Sequence, residues 1–136
     1  MGVAALDVGD ARIGVAVSDD LGLSVRGIGV VQRRGGVGDF ERIARLLAPH
    51  EVSRVVVGLP LNMDGTEGRQ AARVRTFGER LREHLGLPVD FWDERLTTFE
   101  AEEQLRSQGV RAARRRQLVD QVAACVILRS YLERPS

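Results

Sequence analysis

The stretch Val3-Ala4-Ala5-Leu6-Asp7-Val8-Gly9-Asp10-Ala11-Arg12-Ile13-Gly14-Val15-Ala16-Val17 holds two short apolar runs separated by four residues of turn composition. A third β-branched run, residues 23–31, follows the turn-like Asp19-Asp20-Leu21-Gly22. Runs of this length joined at hairpin spacing predict three antiparallel strands in series. One residue breaks the pattern. Asp7 interrupts an apolar run, and a carboxylate set against a core costs free energy unless something compensates it.

Beyond this meander the periodicity changes. A glycine-rich loop, Gly35-Gly36-Val37-Gly38, leads into helical spacing at Phe40, Ile43, Ala44 and Leu47, stopped by Pro49. Residues 54–58, centred on Val55, Val56 and Val57, read as a buried strand, and the loop 59–66 follows. Val74, Phe77, Leu81 and Leu85 mark an amphipathic helix that ends at Gly86. Residues 89–92 form another strand. Thr97 with Glu100 has the spacing of a capping box for a helix carrying Phe99 and Leu105. The last helix is expected from about residue 118 to 132, after an arginine-rich approach. Strands alternating with helices imply parallel pairing through helical crossovers. The fold class is therefore α/β: a mixed five-stranded sheet, three strands antiparallel and then two parallel, flanked by helices. No linker interrupts residues 1–136, so one domain is expected.

Composition narrows the function classes. Hydrophobic residues at 43% and charged residues at 29% are ordinary for a globular chain and argue against disorder. A formal net charge of +1 does not advertise a nucleic-acid partner. All 20 basic residues are arginine, which suits phosphate contacts but also follows from genomic base composition. Aromatics at 4% leave no evident base-stacking platform, so recognition of backbone and shape is expected. Cys125 is alone, which excludes an internal disulfide; among Ala123, Ala124, Val126 and Ile127 it reads as a packed small hydrophobe. No segment approaches the roughly 20 apolar residues of a membrane span, and the N-terminus lacks a signal-peptide pattern. A cytoplasmic protein with no membrane partner is expected.

Three acidic positions carry the chemistry. Asp7 stands at a strand end, either as a metal ligand or as a turn cap near Gly9. Asp93-Glu94 ends a later strand, where open α/β sheets build their sites, or else caps the next helix. Strand alternation lets only one of the pair face a given site, and the residues alone do not choose. Asp120 shares a helical face with Ala124, Ile127 and Tyr131; the alternative is an acid favoured by a helix dipole in a first turn. Were the fold to bring such acids together, their repulsion would call for a cation, and hard divalent cations prefer oxygen ligands. Arg114-Arg115-Arg116, at an end where positive charge is unfavourable, point to an outside anion such as phosphate or to a solvated approach. His50 and His84 are isolated, and His84 reads as a C-terminal cap. The spacing of Gly9 and Gly14 is no P-loop, because Val15-Ala16 stand where Lys and Ser/Thr are required.

Four blocks in order resemble the YqgF/RuvX family: Leu6-Asp7-Val8-Gly9 running into Arg12-Ile13-Gly14-Val15-Ala16; Val57-Gly58-Leu59-Pro60-Leu61-Asn62-Met63-Asp64-Gly65; Asp93-Glu94-Arg95-Leu96-Thr97-Thr98; and Val119-Asp120 before Ala123-Ala124. The resemblance implies a ribonuclease-H-like fold related to the RuvC Holliday-junction resolvases, and a nuclease that matures the 5′ end of pre-16S rRNA. It puts the acidic triad on Asp7, Glu94 and Asp120, choosing Glu94 over Asp93, with Mg²⁺ or Mn²⁺ as cofactor. Asp10-Ala11 departs from the basic residue many members carry before the arginine. Arg12, Asn62, Arg95, Arg114, Arg115 and Arg116 are the expected contacts to nucleic acid: pre-rRNA first, structured DNA second. A non-catalytic assembly factor is the reading from another class. Whether the chain is a monomer or a homodimer is not legible.

Overall fold

The structure is a computed structural model and describes residues 2–95 and 97–134, without the side chains of residues 97–99, 102, 113, 116 and 117. Five strands run β1 (Gly2–Val8), β2 (Arg12–Ser18), β3 (Val25–Gln32), β4 (Val52–Leu59) and β5 (Val89–Asp93). Four α-helices are α1 (Val37–Leu47), α2 (Arg69–Leu85), α3 (Thr97–Ser107) and α4 (Ala112–Leu132). The sheet order is β3-β2-β1-β4-β5. β1 pairs antiparallel with β2 and parallel with β4; β2–β3 is antiparallel and β4–β5 parallel. This is the mixed sheet that the hairpin spacing and the later alternation predict.

Pleating sends alternate residues of the central strand to opposite faces, and each face has its own core. Leu6, Ile13, Val15, Val55 and Val57 pack with Ile43 of α1 and Leu81 of α2. Ala5, Ala16 and Val56 pack with Ala124, Ile127, Leu128 and Tyr131 of α4. Asp7, two residues after Ala5, belongs to the second face. Fully buried side chains such as Leu128 and Leu81 each contribute about 1.5–3 kcal/mol.

That second face is built from small residues, and α4 lies close upon it. A Cβ on Gly14 would sit 1.9 Å from the Asp120 carbonyl oxygen, and one on Gly27 would sit 2.2 Å from the Gln121 side chain. Two polar ties fix the far half of α4: Trp92 Nε1 donates to Ser130 Oγ at 2.8 Å, and Tyr131 Oη donates to Asp90 Oδ2 at 2.6 Å. The Trp92 and Tyr131 rings meet edge to face. Among the described residues no helix is long and apolar enough to cross a membrane.

Three boundaries differ from the sequence reading. β3 starts at Val25, because Asp19 draws the chain into a turn: its Oδ1 accepts the Leu23 amide and its Oδ2 the Ser24 hydroxyl. Leu23 is left 81% exposed. β4 runs Val52–Leu59, two residues earlier and one later than the expected 54–58. α4 begins at Ala112, so the arginine-rich segment is its first turn and a half rather than an approach to it. Arginine is a good helix former, and apolar periodicity is blind to a solvent-facing start. The Thr97 capping box falls on a side chain outside the described residues. His84 packs beside the Phe40 ring, while Gly86, left-handed at φ 68°, ends α2 by donating its N–H to the Arg82 carbonyl.

Candidate active site

Three elements meet at the carboxyl end of β1. Asp7 lies directly across from Gly14 of β2, and Gly58, one residue beyond the partner of Leu6, stands on its other side on β4. Both flanking positions lack a side chain. The gap at Gly14 admits the α4 backbone at Asp120, and the gap at Gly58 admits Glu94, whose Cδ and Oε2 would lie 2.8 Å from a Cβ there. Asp7, Glu94 and Asp120 thereby line one cleft of about 410 Å³, together with Gly9, Asn62, Arg69, Gln70 and Arg95.

The electrostatics follow from this crowding. Asp7 and Glu94 are half-buried, and their carboxyl groups hydrogen-bond to each other. Burial first, and then the facing charge of Asp7, pushes Glu94 from 4.5 up to about 9. Burial raises Asp7 from 3.8 to about 6; the Glu94 hydrogen bond holds it down and the charge of Asp120 pushes it up. At neutral pH the pair therefore holds one proton, on Glu94, which donates to ionised Asp7. Asp120 is treated differently. Arg12 donates from Nε to its Oδ2 at 2.7 Å, a pair with side chains 48% and 19% exposed. Among the described residues no three acidic, His or Cys side chains stand close enough together to form a ready-made ligation cluster.

The placement of Asp120 corrects one alternative. With α4 starting at Ala112, Asp120 is in the third turn, where the dipole of the helix start has faded, so capping does not explain it. Asp93 is exposed and bound to Arg95, whereas Glu94 turns inward, its amide donating to the Leu59 carbonyl at 3.1 Å.

The six expected nucleic-acid contacts are scattered. Arg12 borders the cleft but is committed to Asp120. Asn62 closes its own loop, accepting the Gly65 amide and donating from Nδ2 to Thr66 Oγ1 at 2.9 Å. Arg95 lines the cleft while donating to Asp93 and to the Met63 carbonyl, so it fastens that loop to the end of β5. Arg114 is exposed in the first turn of α4, and Arg115 donates to the Val110 carbonyl at 2.6 Å. The Arg116 side chain lies outside the described residues. Arg69 and Gln70 escaped the sequence reading. They open α2 after Gly68, which supplies no side-chain cap, and only that missing cap signals a helix start facing a cleft.

Comparison with known proteins adds the context. The RuvX family, described as Holliday junction resolvase, matches residues 1–134. The chain belongs to the RuvX family. A protein of Anaeromyxobacter dehalogenans strain 2CP-C named "Putative pre-16S rRNA nuclease" is 50% identical over 95% of this chain and 94% of its own length. Relatives of the same name from Heliobacterium modesticaldum and Symbiobacterium thermophilum are 44% and 47% identical over 98% of the chain, and 89% and 92% of theirs. Membership makes this chain a nuclease, a hydrolase of phosphodiester bonds. Its fold is that of the ribonuclease-H-like resolvases. The T. thermophilus RuvC in complex with a Holliday junction substrate superimposes with a TM-score of 0.58 at 19% identity, over 97% of this chain and 94% of that one. The Fowlpox virus resolvase with Holliday junction DNA gives 0.59 at 11% identity, over 98% and 97%.

Proposed function

We propose that this nuclease cleaves at the 5′ end of precursor 16S rRNA during ribosome biogenesis in the cytoplasm, with Asp7, Glu94 and Asp120 holding Mg²⁺ or Mn²⁺. The observation that carries the site is the convergence of three carboxylates from β1, the end of β5 and α4 on one cleft, two of them sharing a proton. An all-oxygen, anionic donor set fits a hard divalent cation, and a proton on Glu94 is readily exchanged for one. Bound there, such a cation supplies Lewis acidity toward the phosphate and a more acidic water.

The chain's own residues do the rest. Asp7, ionised at neutral pH and half-buried, keeps its charge aimed into the cleft. Glu94 holds a proton that it can release to that cleft. Arg12 neutralises Asp120 and, being nearly half exposed, can pivot toward a phosphodiester. Arg95 fixes the Asn62 loop at the rim, and Arg69 at the start of α2 adds positive charge beside an uncapped helix end. Near-full-length identity to relatives named for precursor 16S rRNA supports the RNA substrate.

A second reading, cleavage of branched DNA, is favoured by the family description and by a fold shared with resolvases in complex with junctions. A side-by-side assay on a precursor rRNA fragment and a four-way DNA junction, with Mg²⁺ or Mn²⁺ and with chelator, separates the two. Cleavage of the RNA that chelation stops and Asp7→Asn abolishes in a folded protein is the expected result. Wild-type rates from Asp7→Asn would remove Asp7 from the site, and cutting of the junction alone would replace the RNA substrate.

A further inference from the structure

A second concavity, of about 640 Å³, opens beside the cleft between the β3–α1 loop and α2. Its size falls within the roughly 300–1,000 Å³ of small-ligand sites. Arg33, Arg73 and Arg80 stand in its wall, and Phe40 and Phe77, with ring centroids 5.0 Å apart, form its floor. Among the described residues none of these three arginines has a carboxylate partner within ion-pair distance. Arg33 lies over the Phe77 ring at 5.0 Å and donates to the Gly9 carbonyl. The one acid in the wall, Asp39, is already satisfied: Arg42 pairs with it, and the Arg34 and Gly35 amides donate to it. The N-terminus of α1 also faces the space, and Gly36 gives it no side-chain cap. A positive wall, free helix amides and an aromatic floor suit one chemistry, a phosphate carrying a flat heterocycle.

The concavity and the cleft are joined by a hydrogen bond and by α2, which lines both. Gly9, which Arg33 grips, lines the cleft. On α2, residues 69, 73, 76 and 80 share a helical face by their spacing, the first in the cleft and the other three in the concavity. Eleven residues of helix span about 16 Å, or about five stacked nucleotides of one strand. We infer that the Arg73–Arg80 concavity binds the substrate strand about two to five nucleotides from the cleft, with separate phosphates on the two arginines and a base against Phe40.

For its ligand, a nucleic-acid strand, this inference rests on the proposed function. The test measures binding alone, by fluorescence anisotropy in EDTA, using a single-stranded RNA of 20 nucleotides and a charge-matched control variant, Arg45→Gln/Arg82→Gln. Arg73 and Arg80 are exposed, so an Arg73→Gln/Arg80→Gln variant should melt like the wild type. The variant should bind the 20-mer about tenfold more weakly, with a log–log salt slope shallower by about 1.4 for two lost phosphate contacts. The Arg45→Gln/Arg82→Gln control, which removes the same charge from exposed positions outside the concavity and the cleft, should bind within twofold of wild type. Equal affinity of the Arg73→Gln/Arg80→Gln variant and wild type for the 20-mer overturns the inference, as does an equal loss in both variants. So does tight binding of AMP alone combined with an unchanged 20-mer affinity, which would assign the concavity to a free nucleotide, and so does a wild type that binds no strand. A wild type that binds RNA yet never cuts it refutes the proposed function and leaves this comparison standing.

Discussion

Glu94→Gln should stabilise the metal-free protein while destroying its activity. The folded chain raises the Glu94 carboxyl from 4.5 to about 9, so the native state binds a proton there that the unfolded chain has released. Stability from this group is fully present below about pH 4.5 and is lost as pH rises toward 9. The loss accumulates at about 1.4 kcal/mol per pH unit and reaches about 3 kcal/mol by pH 7. Glutamine removes that dependence, because its amide N–H can donate to Asp7 as the protonated acid does. For a chain of this size the gain corresponds to about 10 °C in Tm. Thermal unfolding in EDTA, run in steps from pH 4.5 to 8, measures it. The variant should match the wild type at the acid end and pull ahead as pH rises. A variant no more stable than wild type at pH 7, or a gap that does not shrink on acidification, would refute the pairing of Glu94 with Asp7.

Three further outcomes follow from the same geometry. Gly14→Ala places a Cβ against the Asp120 backbone carbonyl, which cannot rotate away; α4 must shift, costing about 1–3 kcal/mol by urea unfolding, and cleavage should fall by more than the fraction unfolded. Arg12→Gln frees Asp120 from its guanidinium, so Mn²⁺ should bind more tightly by calorimetry while KM for nucleic acid rises; because the pair is half exposed, stability should change by less than about 1 kcal/mol. Asp39→Ala strips the acceptor from two backbone amides and leaves Arg42 unpaired in a site where Asp39 is only 2% exposed, and should cost about 3–5 kcal/mol in denaturant unfolding.

Much of this protein was written locally. Hairpin-length gaps after Val8 and Val17 set the antiparallel meander, and the left-handed glycine after Leu85 marks the end of α2, because turns and caps are decided by neighbours in the chain. The oddity of Asp7 was also legible, since an acid in an apolar run stands out without coordinates. Other features depended on partners distant in sequence. The start of α4 at Ala112 hid in solvent-facing arginines that carry no apolar period. Nothing local separated Asp93 from Glu94; the vacant position at Gly58 lets the second turn inward. Only packing shows that Gly14 is a docking point for the backbone of Asp120, that Arg12 spends its charge on that same acid, and that Arg69 and Gln70 border the cleft. The acids were fixed by sequence, but their proton, their guanidinium and their common cleft are consequences of two missing side chains that let a helix and a strand end approach β1.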